Sequence, residues 1–219
     1  MSNSLTSDHR GLDLKLIADD IDRVFGFASN WESSEGTGGG SWEYEGRIMI
    51  DLSAIDKLCH DVGVGPADIA VVFRYVFAHL KAHRYQELNP TYSKTYLEDF
   101  RPYELDADLV AGWVCADARI PNAFRIHGMA SGFNDLSRRE LFNGAAEPKV
   151  NVKPDDYPWP EEREHAYQRG ARMWAAGQVS TYNSATTKQG IPDESFKEFL
   201  EQVPAVVNTM WSRPVPQAA

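Results

Sequence analysis

Residues 66–87, PADIAVVFRYVFAHLKAHRYQE, constrain this chain more than any other stretch. Ile69, Val72, Phe73, Val76, Phe77 and Leu80 recur at helical spacing and form an apolar face too broad for a helix lying on a surface. Pro66 suits the first helical position, and Asp68 falls in the first turn, where the helix dipole favours an anion. A helix this apolar belongs in the middle of a fold, yet it carries two histidines, His79 and His83. Four residues is just over one turn, so both imidazoles leave the same face about 6 Å apart. That spacing lets two histidines share one zinc ion.

A zinc site needs a further protein ligand, which has to come from an element folding back across this helix. A second helix over 104–118, ELDADLVAGWVCADA, begins with Glu104 as the candidate third ligand. Asp108 lies one turn later on the same face, where a carboxylate can hold the far nitrogen of a ligating histidine. Ala107 and Ala111 beside them allow two helices to approach closely.

The remaining pattern is that of an α+β chain, mainly helical. Leu14, Ile17, Ile21, Val24, Phe25 and Ala28 mark a helix over 12–28 that docks by one stripe. Residues 29–41, SNWESSEGTGGGS, read as a loose surface loop, because Gly- and Ser-rich chain is entropically costly to order. Trp42 and Tyr44 alternate with glutamates, and Gly46 separates them from Arg47–Leu52, which predicts a hairpin or a pair of short strands. A short helix follows over 53–63, capped by Ser53. Residues 89–103 read as a loop, 134–143 as a helix and 148–160, with four prolines, as an extended connection. A helix over 161–177 stops at Gly177, and a last one from about Asp193 kinks or ends at Pro204. The expected layout is a single domain over 12–211, flanked by tails at 1–11 and 212–219.

Of the 219 residues, 42% are hydrophobic, which suits a globular protein. The net charge of −10, from 32 acidic and 22 basic residues, argues against nucleic acid and anionic lipid as partners. No apolar run approaches the roughly 20 residues of a membrane span. The N-terminus shows no secretory pattern, and two cysteines, Cys59 and Cys115, fit a reducing compartment, so the cytoplasm is the expected location. Cys115, in an apolar run, reads as a small core residue.

HLKAHRYQ followed by ELDADLVAGWVCA resembles the zincin-type metallopeptidases, in which the first zinc helix reads HExxH, often with a glutamine shortly after, and the second supplies ExxAD. The similarity is closest to the neutral zinc metallopeptidases, where ELxAD runs into a small-aromatic stretch such as AGVW, echoed by Ala111-Gly112-Trp113. That group also carries a segment of the form PEERxxAFxxG, similar to Pro160-Glu161-Glu162-Arg163 and Tyr167-Gln168-Arg169-Gly170. The resemblance spans about 42–177. It implies a zincin-like fold with a small sheet packed on the metal-site helix, zinc held by His79, His83 and Glu104, and Asp108 behind them. It also implies that RIMIDLSAID is an edge strand beside the substrate, so that Ile48, Met49 and Ile50 line a groove for an extended peptide or protein segment.

One departure matters most. The glutamate of HExxH is the general base that takes a proton from zinc-bound water, and Leu80 stands in its place. General-base help is typically worth about 10²–10⁴-fold, so the expectation is a relative that binds zinc but has lost peptidase chemistry, acting as a binding or regulatory module. Two alternatives stay open: a zinc hydrolase with a base from elsewhere, and a metal-free structural domain in which the histidines bond to Glu104 and Asp108. Glu87, Glu98, Asp99, His60, His127 and His165 are spare candidates for a ligand or a base, and Tyr85, Tyr92, Tyr96 and Tyr103 flank the site.

Overall fold

The computed structural model describes residues 14–34, 42–44, 46–53, 55–56, 66–89, 100–116, 158, 160–184 and 193–211. In chain order these form α1 (Leu14–Phe25), β1 (Asn30–Ser34), β2 (Trp42–Tyr44), β3 (Arg47–Asp51), α2 (Pro66–Leu88), α3 (Phe100–Ala116), α4 (Pro160–Ser184) and α5 (Asp193–Trp211). The described chain is thus mainly helical with one small sheet, as the α+β reading expects. No described helix is long and apolar enough to cross a membrane.

The helix α1 buries the predicted stripe of Leu14, Ile17, Ala18, Ile21, Val24 and Phe25. It stops at Gly26, whose φ of 76° lies in the left-handed region and whose N–H reaches back to the Asp22 carbonyl at 2.9 Å. Ala28 therefore falls outside the helix. The next five residues are not the loose loop their composition suggests: β1 pairs parallel with β3, from Asn30 opposite Arg47 to Ser34 opposite Asp51. Trp31 anchors it, edge-on to Phe73 at 5.8 Å and Phe77 at 5.7 Å. The predicted hairpin is present, with β2 antiparallel to β3 around Gly46 at φ 81°.

The strand order is β1-β3-β2, which corrects the expectation of an edge strand at 47–52. β3 is the central strand, hydrogen-bonded to β1 on one side and to β2 along Arg47–Met49 on the other. Ile48 and Ile50 are buried in the core, with Met49 half-buried between them. The strand therefore offers no open edge along Ile48 and Met49 for an added segment. The turn after it is held by the Asp51 carboxylate, which accepts from the Ser53 N–H at 3.0 Å, so Asp51 rather than Ser53 takes the capping role. Of the predicted helix over 53–63, only Ser53, Ile55 and Asp56 are described, in helical conformation. The predicted helix at 134–143 lies outside the described residues.

The helix α2 is buried continuously from Ala70 to His83. The side chains buried around it form one cluster reaching from Leu14 in α1 to Val207 in α5. α3 begins at Phe100, a turn earlier than its apolar pattern suggests, which leaves Glu104 in the second turn. α3 and α4 run side by side in backbone contact, made possible by two glycines. A Cβ on Gly112 would stand 2.0 Å from the Tyr167 carbonyl oxygen, and one on Gly170 would stand 1.9 Å from that of Leu109. The close approach allowed by small residues therefore lies between α3 and α4, and it brings Arg163 alongside Asp108.

Two stop signals are overridden. α4 continues through Gly177 to Ser184, because one glycine costs a helix only about 1 kcal/mol. α5 continues through Pro204, despite a penalty of about 3 kcal/mol for an internal proline. Its apolar face compensates: Phe196 and Phe199 pack on Trp113 at 5.0 and 5.1 Å, and Val203 and Val207 flank the proline fully buried.

Candidate metal centre

His79 and His83 leave α2 toward α3, and Glu104 leaves α3 toward them. His79 Nε2 and His83 Nε2 are 3.0 Å apart. Glu104 Oε2 lies 3.3 Å from the first and Glu104 Oε1 lies 3.4 Å from the second. One donor atom from each residue falls within 4.8 Å of the other two, and no other such trio occurs among the described residues. All three residues are buried, at 3%, 8% and 9% exposure.

The far nitrogens decide what the near ones carry. Gln86 sends its Nε2–H to the Tyr103 carbonyl at 3.0 Å. A carbonyl only accepts, so the Gln86 amide is oriented, and its Oε1 faces His83 Nδ1 at 2.8 Å. His83 Nδ1 therefore holds the ring proton. His79 Nδ1 lies 2.9 Å from Asp108 Oδ1, an ion-pair contact whose direction is not that of a good hydrogen bond. The two Nε2 atoms and the Glu104 carboxylate face one another at one buried point, and the tautomer and charge of each ring decide which nitrogen donates there. Three such groups at one buried point repel unless a proton or a metal cation lies among them.

The surroundings sharpen this. Burial alone would raise the Glu104 carboxyl, but His83 and His79 hold it well below its ordinary range. Burial likewise works against ionising Asp108, and Arg163 and His79 overcome it, keeping that carboxyl below its usual value. Burial disfavours a charged His79, yet Asp108 and Glu104 together raise its pKa. The site thus stabilises positive charge at His79. Tyr103 stacks on His83, ring centroids 4.4 Å apart and 17° from parallel, and restrains that ring from the side opposite a rotation.

The residues expected to converge do so: His79, His83 and Glu104 meet at one point, and Asp108 stands behind His79. Leu80, where the resemblance places a general base, is buried in the hydrophobic cluster. Glu87 does not join the histidines; it is exposed and ion-paired with Arg84 at 2.7 Å, because a third ligand on one straight helix would lie too far along the axis. His165 is exposed on α4. His60, Glu98, Asp99, Tyr92, Tyr96 and Cys59 lie outside the described residues, as does His127. Cys115 is a buried core thiol, pushed up to about 12 by burial, with Arg74 and Tyr167 opposing the shift.

Three contributors were not assigned roles from the sequence. Tyr75 lies one turn before His79 on the same face, a spacing that could have revealed it, and its hydroxyl donates to Asp108 Oδ1. Gln86 falls within the resemblance only as a nearby glutamine. Arg163 belongs to the PEER segment, but only the helix crossing shows that its Nε and Nη2 meet Asp108 at 2.6 and 2.9 Å.

Compared with known protein families, with curated proteins and with solved structures, the chain matches no family model, and no curated sequence or solved structure is similar to it.

Proposed function

We propose that this chain is a zincin-like protein that holds one zinc ion through His79, His83 and Glu104 and carries out no peptidase chemistry. The observation behind the metal is the convergence of two Nε2 atoms on one buried carboxylate, with Gln86 behind one ring and Asp108 behind the other. A zinc ion about 2.0–2.1 Å from each of three tetrahedral ligands separates those ligands by about 3.3 Å. The two nitrogens are 3.0 Å apart, each has a different Glu104 oxygen at 3.3 or 3.4 Å, and one ligand atom from each residue falls within 4.8 Å of the others, so the set closes on an ion with a small rotation of the carboxylate. Two imidazoles and one carboxylate are a zinc donor set, and the paired acceptors at Asp108 and Gln86 are the kind of support that orients ligating histidines.

When bound, zinc supplies Lewis-acid polarisation of an oxygen placed beside it. What these residues do not supply is a proton acceptor there. Leu80 occupies the position where the resemblance places one, and Asp108 is fully engaged by its neighbours. The function that remains is that of a metal-holding binding or regulatory module. The central position of β3 removes the strand-addition groove along Ile48, Met49 and Ile50 from that reading.

Elemental analysis of the protein purified without added metal, followed by zinc titration, tests the site. One zinc per chain is expected, lost in His79→Ala; no uptake by the wild type rejects the metal. Incubation of wild type and Leu80→Glu with an unfolded protein tests the rest. Rapid, chelator-sensitive cleavage by the wild type overturns the loss of peptidase chemistry.

A further inference from the structure

Asp108 sits where a fourth metal ligand could have been. It is fully buried, one turn from Glu104, and in contact with His79. Its two oxygens are nevertheless occupied. Oδ2 accepts from Arg163 Nε at 2.6 Å, and Oδ1 accepts from Arg163 Nη2 at 2.9 Å, from the Tyr75 hydroxyl and, at 2.9 Å, faces His79 Nδ1. Arg163 and Tyr75 thus supply three hydrogen bonds to this carboxylate, and His79 Nδ1 lies beside it. The same Arg163 Nη2 leans toward Glu104 Oε2 at 3.5 Å, so one guanidinium touches both carboxylates of α3.

We propose that Arg163 is a positioning residue of the metal site: by gripping Asp108 in two places from α4, it keeps that carboxylate out of the coordination sphere and aimed at His79 Nδ1. This rests on the zinc reading above. Through Asp108, Arg163 sets the orientation of the His79 ring and leaves Glu104 as the single carboxylate ligand. The backbone contact at Gly112 and Gly170 holds α4 close enough for this reach. A guanidinium suits the task because its planar fork engages both carboxylate oxygens at once, whereas an ammonium is a single point of charge.

The competing explanation is that Arg163 merely staples α4 to α3. Lys81 provides the contrast, being a buried cation on α2 whose hydrogen bonds go to Asp22, Phe27 and Ser29 rather than to the metal ligands. Zinc affinity by competition with a chromophoric chelator, and the visible spectrum of the cobalt-substituted protein, are measured for wild type, Arg163→Met, Arg163→Lys and Lys81→Met. Arg163→Met is expected to bind zinc about 10–100-fold more weakly, with a changed cobalt spectrum, and Arg163→Lys to fall between it and wild type. Lys81→Met is expected to melt at a lower temperature yet keep wild-type zinc affinity and spectrum. Wild-type affinity and spectrum in Arg163→Met overturn the proposal, as does an equal loss in Lys81→Met. Should Arg163→Met fail to fold, Arg163→Lys decides alone, a wild-type result overturning and an intermediate one supporting. A wild type that takes up neither zinc nor cobalt overturns the zinc reading itself, a result distinct from any difference between variants.

Discussion

Two buried polar clusters share α2, and they differ in whether their hydrogen bonds close. On one side, Lys81, fully buried, donates to Asp22 Oδ1 at 2.7 Å, to the Phe27 carbonyl at 2.5 Å and to Ser29 Oγ at 2.6 Å. Its ammonium also lies 3.7 Å from the centre of the Phe27 ring. Asp22 in turn accepts from the Ser29 N–H at 2.7 Å and the Ser29 hydroxyl at 2.6 Å. Every Lys81 proton has an acceptor, and the cluster simply joins α1 to α2. On the other side, His79, His83 and Glu104 face one another at 3.0 to 3.4 Å with no fixed cationic donor such as a lysine among them. A closed cluster explains itself as structure; one whose groups face each other without such a donor is satisfied by a proton or, on the proposed reading, by a metal ion. The two clusters are two residues apart along the helix and similarly buried, so burial alone does not distinguish a structural site from a functional one. The balance of donors and acceptors does.

The comparison breaks first at the closed cluster. Lys81→Met is expected to destabilise the protein by about 3 kcal/mol in urea unfolding, because it leaves Asp22 without its cation, and to do so equally with and without zinc. A zinc-dependent loss would mean that the two clusters are not separate. Next is the gain at the open cluster: zinc at about 100 times its Kd should stabilise the wild type by about 2.7 kcal/mol, and His79→Ala not at all, as thermal unfolding will show. Gln86→Leu removes the acceptor that orients His83 and should weaken zinc binding about tenfold by chelator competition, with little change in metal-free stability.

The smallest expected effect is on pH dependence, followed by urea unfolding across pH. Without metal, the raised His79 pKa contributes stability that is fully present below the ordinary histidine value of about 6.5 and lost as pH rises through the folded value. The depressed Glu104 and Asp108 carboxyls contribute stability present above ordinary carboxylate values of about 4 and lost as pH falls through their folded ones. Metal-free protein should therefore be most stable in mildly acid solution. Zinc, which needs deprotonated imidazoles, should bind more tightly as pH rises and restore stability where the proton no longer does. Metal-free stability that keeps rising above neutral pH would remove the proton from the open cluster.

Legibility followed sequence distance. His79 and His83 share a face by helix geometry alone, and Glu104 and Asp108 follow the same rule on α3, so each pair was readable from a few consecutive residues. Their meeting was suggested by the order of the two motifs. The grip of Arg163 on Asp108 was not readable, because it depends on where α4 crosses α3, and two glycines set that crossing by backbone contact. Lys81 drew no reading from the sequence, because its partners lie in α1 and the segment after it. β1 was misread because Asn30–Ser34 has one large apolar side chain and takes its strand form from parallel pairing with β3. The central place of β3 was hidden for the same reason.

By itself, then, the sequence determined the main described helices and the two faces that carry imidazoles and carboxylates, since these are local consequences of residue type and spacing. Tertiary structure alone decided that the two Nε2 atoms face one another, that Asp108 is engaged by Arg163 and Tyr75, and that β3 has neighbours on both sides. Those outcomes depend on the distances between separate elements, and such distances are set by packing across the whole core.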